Sequence, residues 1–413
     1  MSEFNYLHLD YQPDYNKEIV AQFLVGVKEG CTLKETASQI AAESSIGTWT
    51  YLETLSQETF NELGAKVFSI NKETGRIKIA YSVKTFEKGN LPQLMSAIGG
   101  NIFGMSLLDS LRLEDISFPP HYIKSFPGPQ FGVAEGSFAK TGVTDRPLVG
   151  SIVKPKVGLT SDQQAQVAAE VFRNGVDIIK DDENLTSLSF NKFKERVWKV
   201  LKKKKEIEKE TGQKKIYVFN VTGSVDTIVK RAKFIEEQGG RCVMIDIITS
   251  GWAAVQHLRN QNLNLIIHAH RAGHAAFTRS KKHGLSMLVV AKLARLAGVD
   301  QLHTGTVVGK MEGSREEVTT INKFLNKKWA GLKKVVPVSS GGLHPGLVPE
   351  LVNLLGNHII INFGGGIHGH PDGSGAGARA ARQAIEATQE GLSLKEKAVD
   401  APALKKALDY WLN

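Results

Sequence analysis

A chain of 413 residues, 41% hydrophobic and 23% charged, is long enough for two domains or one large barrel with an appendage, and its make-up is that of an ordinary globular protein. No apolar run approaches bilayer-spanning length, the start MSEFNYLHLDY is not signal-like, and Cys31 and Cys242 lie far apart without metal-site spacing, which argues against a membrane partner, a disulfide framework and a thiolate metal site and predicts a cytoplasmic protein. The net charge of +10 admits a nucleic acid or a small anion, but the lysine-rich LKKKKEIEKETGQKK interleaves glutamate as a solvated helix face does, so no nucleic-acid partner is expected.

Residues 1–127 mix helix and strand patterns. TLKETASQIAA opens with Thr32 and places Glu35 three residues on, the pattern of a capped helix start. AKVFSI and RIKIAYSV alternate as strands around a turn at Gly75, and NLPQLMSAIGG reads as a helix running out into glycines. This predicts a compact α+β domain of the ferredoxin-like kind. The proline- and glycine-rich FPPHYIKSFPGPQFG is the expected boundary.

Over 128–413 the rhythm changes. Eight short apolar runs recur: PLVGSIV, VDII, IYVFNV, CVMIDII, LNLIIHA, DQLHTGTVV, VVPVS and IIINF. Amphipathic stretches such as SDQQAQVAAEVFRNG, VDTIVKRAKFIEEQGG and MLVVAKLARLAG separate most of them. The count and length predict an α/β fold, a (β/α)8 TIM barrel, over a doubly wound open sheet, because polar residues gather at the C-terminal end of nearly every run.

Those ends carry KPKVG with Lys154 and Lys156, expected on one side of the strand; KDDE; NVTG; DIITSG; HAHRAGH with His268, His270, Arg271 and His274; His303 with GTVVGK; SSGG; and GGGIHGH. A lone histidine at a strand end is more often structural than catalytic. The joint occurrence is the signal. Glycines let backbone N–H groups approach an anion, so Ser340, Gly341, Gly342, Gly364 and Gly365 are a candidate phosphate cradle. Arg271, His303 and Lys310 offer cations for a second anion across the barrel mouth.

Between them VDII runs into K-D-D-E. Alternation points Lys180 and Asp182 the same way, with Glu183 just beyond. Two carboxylates suit Mg²⁺, but an ammonium beside a divalent cation is repelled. Condensation of the neutral amine with CO2 would turn Lys180 into an anionic carbamate ligand. A pocket crowded with cations is expected to lower a lysine pKa and make that amine available.

VGSIVKPKVGL, IIKDDENLTS, HAHRAGHAAFTR, LHTGTVVGKMEG, SSGGLHPG and FGGGIHGHPDGSGAGA, with AAESSIGTWT and GGNIFGM in the first domain, resemble the large-subunit family of ribulose-1,5-bisphosphate carboxylase/oxygenase, RuBisCO. DDENLTSLSFNKFKERV and HAAFTRSKKHG look closest to its archaeal-type form III or form III-like members. The resemblance implies carboxylation, and competing oxygenation, of ribulose-1,5-bisphosphate to 3-phosphoglycerate through an enediolate on Mg²⁺, in nucleotide (AMP) salvage.

It also implies roles. Lys180, as a carbamate formed with an activator CO2, would ligate Mg²⁺ with Asp182 and Glu183 and take the substrate C3 proton. Lys154 would protonate the product carbanion, with Lys156 holding it electrostatically. Lys310 would close over the substrate on a loop and meet the incoming CO2. His270 would handle the hydroxyl and hydration step, and Arg271 and His303 would bind one phosphate. Glu43, Thr48, Trp49 and Asn101 would complete the site of a partner subunit, giving a homodimer or ring of dimers without a small subunit. Two departures, Gly273 where members commonly carry methionine and an end at KALDYWLN without the long tail of some relatives, bear on loop closure and CO2/O2 preference. The rivals are a RuBisCO-like enolase of methionine salvage, a metal-dependent hydrolase with a carbamylated lysine, and a basic binding module. GTVVGK and KPK are whole, against the enolase. HAH ends the fifth run and not the first, against the hydrolase.

Overall fold

The computed structural model describes residues 4–48, 50–308 and 314–412. Along the chain its strands are β1 (Glu18–Val27), β2 (Lys66–Asn71), β3 (Arg76–Ser82), β4 (Leu108–Ser117), β5 (Leu148–Ile152), β6 (Ile178–Lys180), β7 (Ile216–Asn220), β8 (Cys242–Asp246) and β9 (Ile266–His270). They continue with β10 (Gly284–Leu285), β11 (Gln301–His303), β12 (Val336–Ser340) and β13 (Ile360–Phe363). Two compact units result. One comprises Met1–Pro127, Gly273–Ala297 and Ala330–Leu332, the other Gly128–Ala272, Gly298–Trp329 and Lys333–Asn413.

In the first unit the sheet order is β10-β4-β1-β3-β2, with β1 antiparallel to both β3 and β4. Helix Leu33–Glu43 follows β1 and helix Leu91–Ile98 follows β3, which is the β-α-β-β-α-β order of ferredoxin-like folds. Thr32 caps the first helix, its hydroxyl accepting from Glu35 N while the Glu35 carboxylate reaches back, and Ala37, Ile40 and Ala41 are buried. Gly75, at φ +69, makes the turn between β2 and β3. Gly273–Ala297 belongs here because β10 extends the edge at β4, and buried Arg112 donates to the Thr278 and Ser280 carbonyls. Helix Met287–Ala297 is apolar nearly all round and buried on most of its surface, as that composition requires.

The second unit is a closed barrel of eight parallel strands in the order β11-β12-β13-β5-β6-β7-β8-β9. Its interior is packed. Leu148, Ile178, Ile216, Val218, Cys242, Met244, Ile266, Val336, Val338 and Ile360 form one buried cluster with Phe138. Gly150 has no alternative there, since a Cβ would come within 2.9 Å of Ile360 and Asn362 side-chain atoms on β13. The lysine-rich stretch forms helix Phe193–Thr211, which buries Phe193, Val197, Val200, Leu201 and Ile207 and pairs Lys203 with Glu206 and Lys204 with Glu208. No helix of the described residues is long and apolar enough to cross a membrane.

Candidate active site

Alternation decides where the polar side chains emerge. The inward apolar positions lie toward the start of each strand. Two residues on along the same face come Lys180, Asn220, Asp246, His268, Ser340 and Asn362, then His270 past His268. The C-terminal rim of the barrel is therefore polar while its floor is apolar.

Lys180 is 2% exposed. Its Nζ donates to the Asp181 carbonyl at 3.0 Å and to Glu183 Oε2 at 3.3 Å, and lies 3.5 Å from Met244 Sδ. Asp181 and Asp182 part company. Asp181 turns away from the site and accepts from Arg196 Nε at 3.2 Å, Tyr217 OH at 2.7 Å and Asn220 N at 3.0 Å. Asp182 accepts from Lys154 Nζ at 2.8 Å and from the Asn184 side chain at 3.0 Å. Glu183 Oε2 is 3.6 Å from His270 Nε2, and His270 Nδ1 donates to Asp246 Oδ1 at 2.7 Å, which fixes the imidazole and leaves Nε2 facing the carboxylates.

Burial lowers the Lys180 pKa even though Glu183 and Asp182 act to raise it. The expected cause, a crowd of cations, is corrected: desolvation dominates, because the amine sits in the barrel wall beside a thioether. Burial pushes the Asp182 carboxyl up, but hydrogen bonds from Lys154 and Asn184 outweigh it and leave it below the usual range. For Glu183 burial is likewise outweighed, first by the Lys180 charge.

The placement of Lys154 and Lys156 on one strand side is also corrected. The strand β5 ends at Ile152, so alternation does not reach them; Lys154 turns to Asp182 while Lys156 is exposed. A second correction concerns His303. It is 3% exposed, and burial drives its pKa well below the ordinary value and that of His268 to about 3. Gln301 Oε1 accepts from His268 Nδ1 at 2.7 Å, His303 Nε2 donates to His268 Nε2 at 2.8 Å, and Ser340 Oγ donates to His303 Nδ1 at 2.7 Å. One proton order satisfies the whole relay with both rings neutral, so His303 is not a cation. The relay also ties Ser340 to β11, the neighbour of β12, and so sets Ser340 beside His303 and not across the mouth from it.

Gly364 lies toward Lys154, whose Cε would be 3.5 Å from an added Cβ, and at Gly365 an added Cβ would meet nothing. Gly341 and Gly342 have φ of +117 and +66. Arg271 packs against Gly305, and burial lowers its pKa to about 10. His274 turns to Thr278 in the first unit. Gly273 has φ +82, a backbone that methionine rarely adopts. In the first unit Glu43 ends its helix, Thr48 follows the next turn, and exposed Asn101 opens a short turn, Asn101–Gly104, that packs against that helix. Lys310 and Trp49 lie outside the described residues. Asp246 was not singled out as a site residue, although its place at the end of the fourth barrel strand is the signal that would have found it.

The neutral histidines carry an expected pH response. Unfolded histidine titrates near 6.5, whereas His268, His303 and His368, the last at about 4, stay neutral in the fold to lower pH. The unfolded state therefore binds more protons below about 6.5, and stability falls as pH falls, by at most about 1.4 kcal/mol per pH unit per histidine. Urea midpoints between pH 7 and 5 should drop, above the range where the carboxylates titrate. In His303→Gln the slope should be shallower.

Models of the ribulose bisphosphate carboxylase large chain match this sequence in two pieces, the catalytic domain over residues 135–411 and the N-terminal domain over residues 5–122. The chain belongs to that family. Ribulose bisphosphate carboxylase of Pyrococcus furiosus is 50% identical over 411 residues, covering 98% of this chain and 97% of its own. That of Methanocaldococcus jannaschii is 47% identical, covering 98% and 100%. Among solved structures the chain is similar to octameric Rubisco from Pyrococcus horikoshii, with TM-score 0.94, 48% identity and 98% and 95% coverage. It is also similar to a dimeric archaeal Rubisco from Hyperthermus butylicus, with TM-score 0.92, 42% identity and 98% coverage of each. Membership makes the chain a ribulose-bisphosphate carboxylase of the archaeal type, a carbon–carbon lyase.

Proposed function

We propose that this RuBisCO chain carboxylates ribulose-1,5-bisphosphate to two molecules of 3-phosphoglycerate, with O2 competing for the same enediolate. The observation that carries this reading is Lys180, buried, depressed in pKa and set beside the Glu183 carboxylate while Lys154 holds Asp182. The donor set fits Mg²⁺ only after a change at Lys180. Among the described residues no three His, Cys, Asp or Glu side chains group as metal ligands. Two carboxylates become three anionic donors once the amine adds CO2 and loses a proton to form a carbamate.

Mg²⁺ held by the carbamate, Asp182 and Glu183 would supply a Lewis acid that chelates two adjacent substrate oxygens. The chain's own groups do the rest. The carbamate is the base for the C3 proton, and Asp246 keeps His270 Nε2 directed at the hydroxyl that must lose or gain a proton. Lys154, released from Asp182 when a cation takes that carboxylate, becomes the acid for the product carbanion, with Lys156 nearby. Lys310 meets the new carboxylate. Arg271 and the His303–Ser340 pair hold one phosphate, while Gly364 and Gly365 with the turn at Gly341 and Gly342 hold the other. Glu43, Thr48, Trp49 and Asn101 serve a partner's site in a homodimer or ring of dimers. The archaeal relatives support a bisphosphate drawn from nucleotide salvage and a cytoplasmic enzyme.

Protein given Mg²⁺, labelled bicarbonate and the bisphosphate should yield acid-stable label, and preincubation with CO2 and Mg²⁺ should raise the initial rate. Absence of label together with turnover of a 2,3-diketo phosphate would instead assign the enolase reaction of methionine salvage. The intact KPK and GTVVGK motifs favour carboxylation.

A further inference from the structure

The helix Pro402–Trp411 is placed to act on the active-site rim. Trp411 stacks on His344, ring centroids 5.7 Å apart and planes at 18°. His344 lies in the loop after β12 that begins with Gly341 and Gly342. On its other side Trp411 lies along Gly369, where an added Cβ would be 3.5 Å from the indole. Gly369 closes the turn after β13 that begins with Gly364 and Gly365. The two loops also touch each other directly. A Cβ at Gly366 would be 2.1 Å from the Leu343 carbonyl and 2.8 Å from His344 Cα, so only glycine lets them close to this distance. Leu412 fills the space beside Gly346. Below the ring, His370 Nε2 donates to the Ala403 carbonyl at 3.0 Å and Lys406 pairs with Asp372.

Indole Nε1 and His344 Nδ1 are both buried without a hydrogen-bond partner among the described residues. Shape, not a polar bond, therefore sets this contact, and a ring of another outline would not reproduce it. We propose that Trp411 is a positioning residue that fixes the spacing of the β12 and β13 loops, and through it the grip on the substrate phosphate. The inference rests on the reading of those loops as the phosphate cradle. Two backbone segments that must offer N–H groups to one anion tolerate little relative displacement, and a shift near 1 Å at such a site costs on the order of ten- to a hundredfold.

Trp411→Ala and Trp411→Phe would be compared with wild type for the KM of the bisphosphate, kcat, inhibition by inorganic phosphate, and trapping of the carbamate on Lys180. In the alanine variant KM for the bisphosphate and the inhibition constant for phosphate should both rise roughly tenfold, while carbamate trapping and the KM for CO2 stay at wild-type values. The phenylalanine variant should recover part of the loss. A wild-type bisphosphate KM in Trp411→Ala would overturn the proposal, as would a loss of carbamate trapping equal to the loss of phosphate binding. Gly365→Ala separates the underlying reading, because its methyl meets no protein atom and can obstruct only a ligand. If Gly365→Ala binds phosphate normally, the cradle reading fails. If it binds weakly while Trp411→Ala does not, the brace alone fails.

Discussion

Lys180→Ala is expected to lower carboxylation by roughly a thousandfold or more, because the change removes both the base and an anionic ligand at once. No CO2 preincubation should restore it. The loss should not come from unfolding: Lys180 is buried with its charge disfavoured, so removing the amine also removes a desolvation cost, and Lys180→Met, which keeps the volume, should be as stable as wild type and as inactive. The burial that lowers the pKa also makes a rate prediction. Carbamate forms from the neutral amine, so activation at fixed CO2 should quicken with rising pH and level off above the depressed pKa, below the 10.5 of an ordinary lysine. Activation still accelerating at pH 10.5, or an active Lys180→Met variant, would remove Lys180 from the centre of the mechanism.

The legible part of this site is the part that periodicity governs. Strand alternation separated Asp181 from Asp182 in a run of four charges, and the structure follows it, with Asp181 on Arg196 and Tyr217 and Asp182 on Lys154. Alternation failed where the strand stopped. Lys154 and Lys156 lie past Ile152, and no local pattern says where a loop will aim a side chain. Charge state was the other blind spot. His303 reads as a cation in one dimension, yet it is neutral because Gln301, His268 and Ser340, from three different strands, enclose it in one relay. Burial of that kind is a property of barrel closure, which brings β9, β11 and β12 together, and it has no sequence-local signal. The (β/α)8 count was readable because eight apolar runs each needed a buried strand. The grouping of Gly273–Ala297 with the first unit was not, since it depends on two residues, Gly284 and Leu285, finding the free edge of β4.

Mixing two inactive variants, Lys180→Ala and Asn101→Ala, is expected to restore activity that neither has alone. Lys180 ends a barrel strand, whereas Asn101 is an exposed residue of the first unit, so its replacement carries little folding cost and each variant should remain soluble and assembled. If the first unit of each chain serves the barrel of its partner, a mixed pair has one site with both defects and one with neither. Random exchange makes half the pairs mixed, and one of two sites in each is whole, so activity should return to about a quarter of wild type. If instead each chain completed its own site, every site in the mixture would carry one defect and nothing would return. Larger rings leave this arithmetic unchanged, because the pair is the unit that closes a site; relatives described as dimeric and octameric would give the same fraction. Native mass spectrometry must first show mixed pairs. Inactivity with those pairs present would place Asn101 with the barrel of its own chain, and activity in isolated single chains at low concentration would remove the need for a partner altogether.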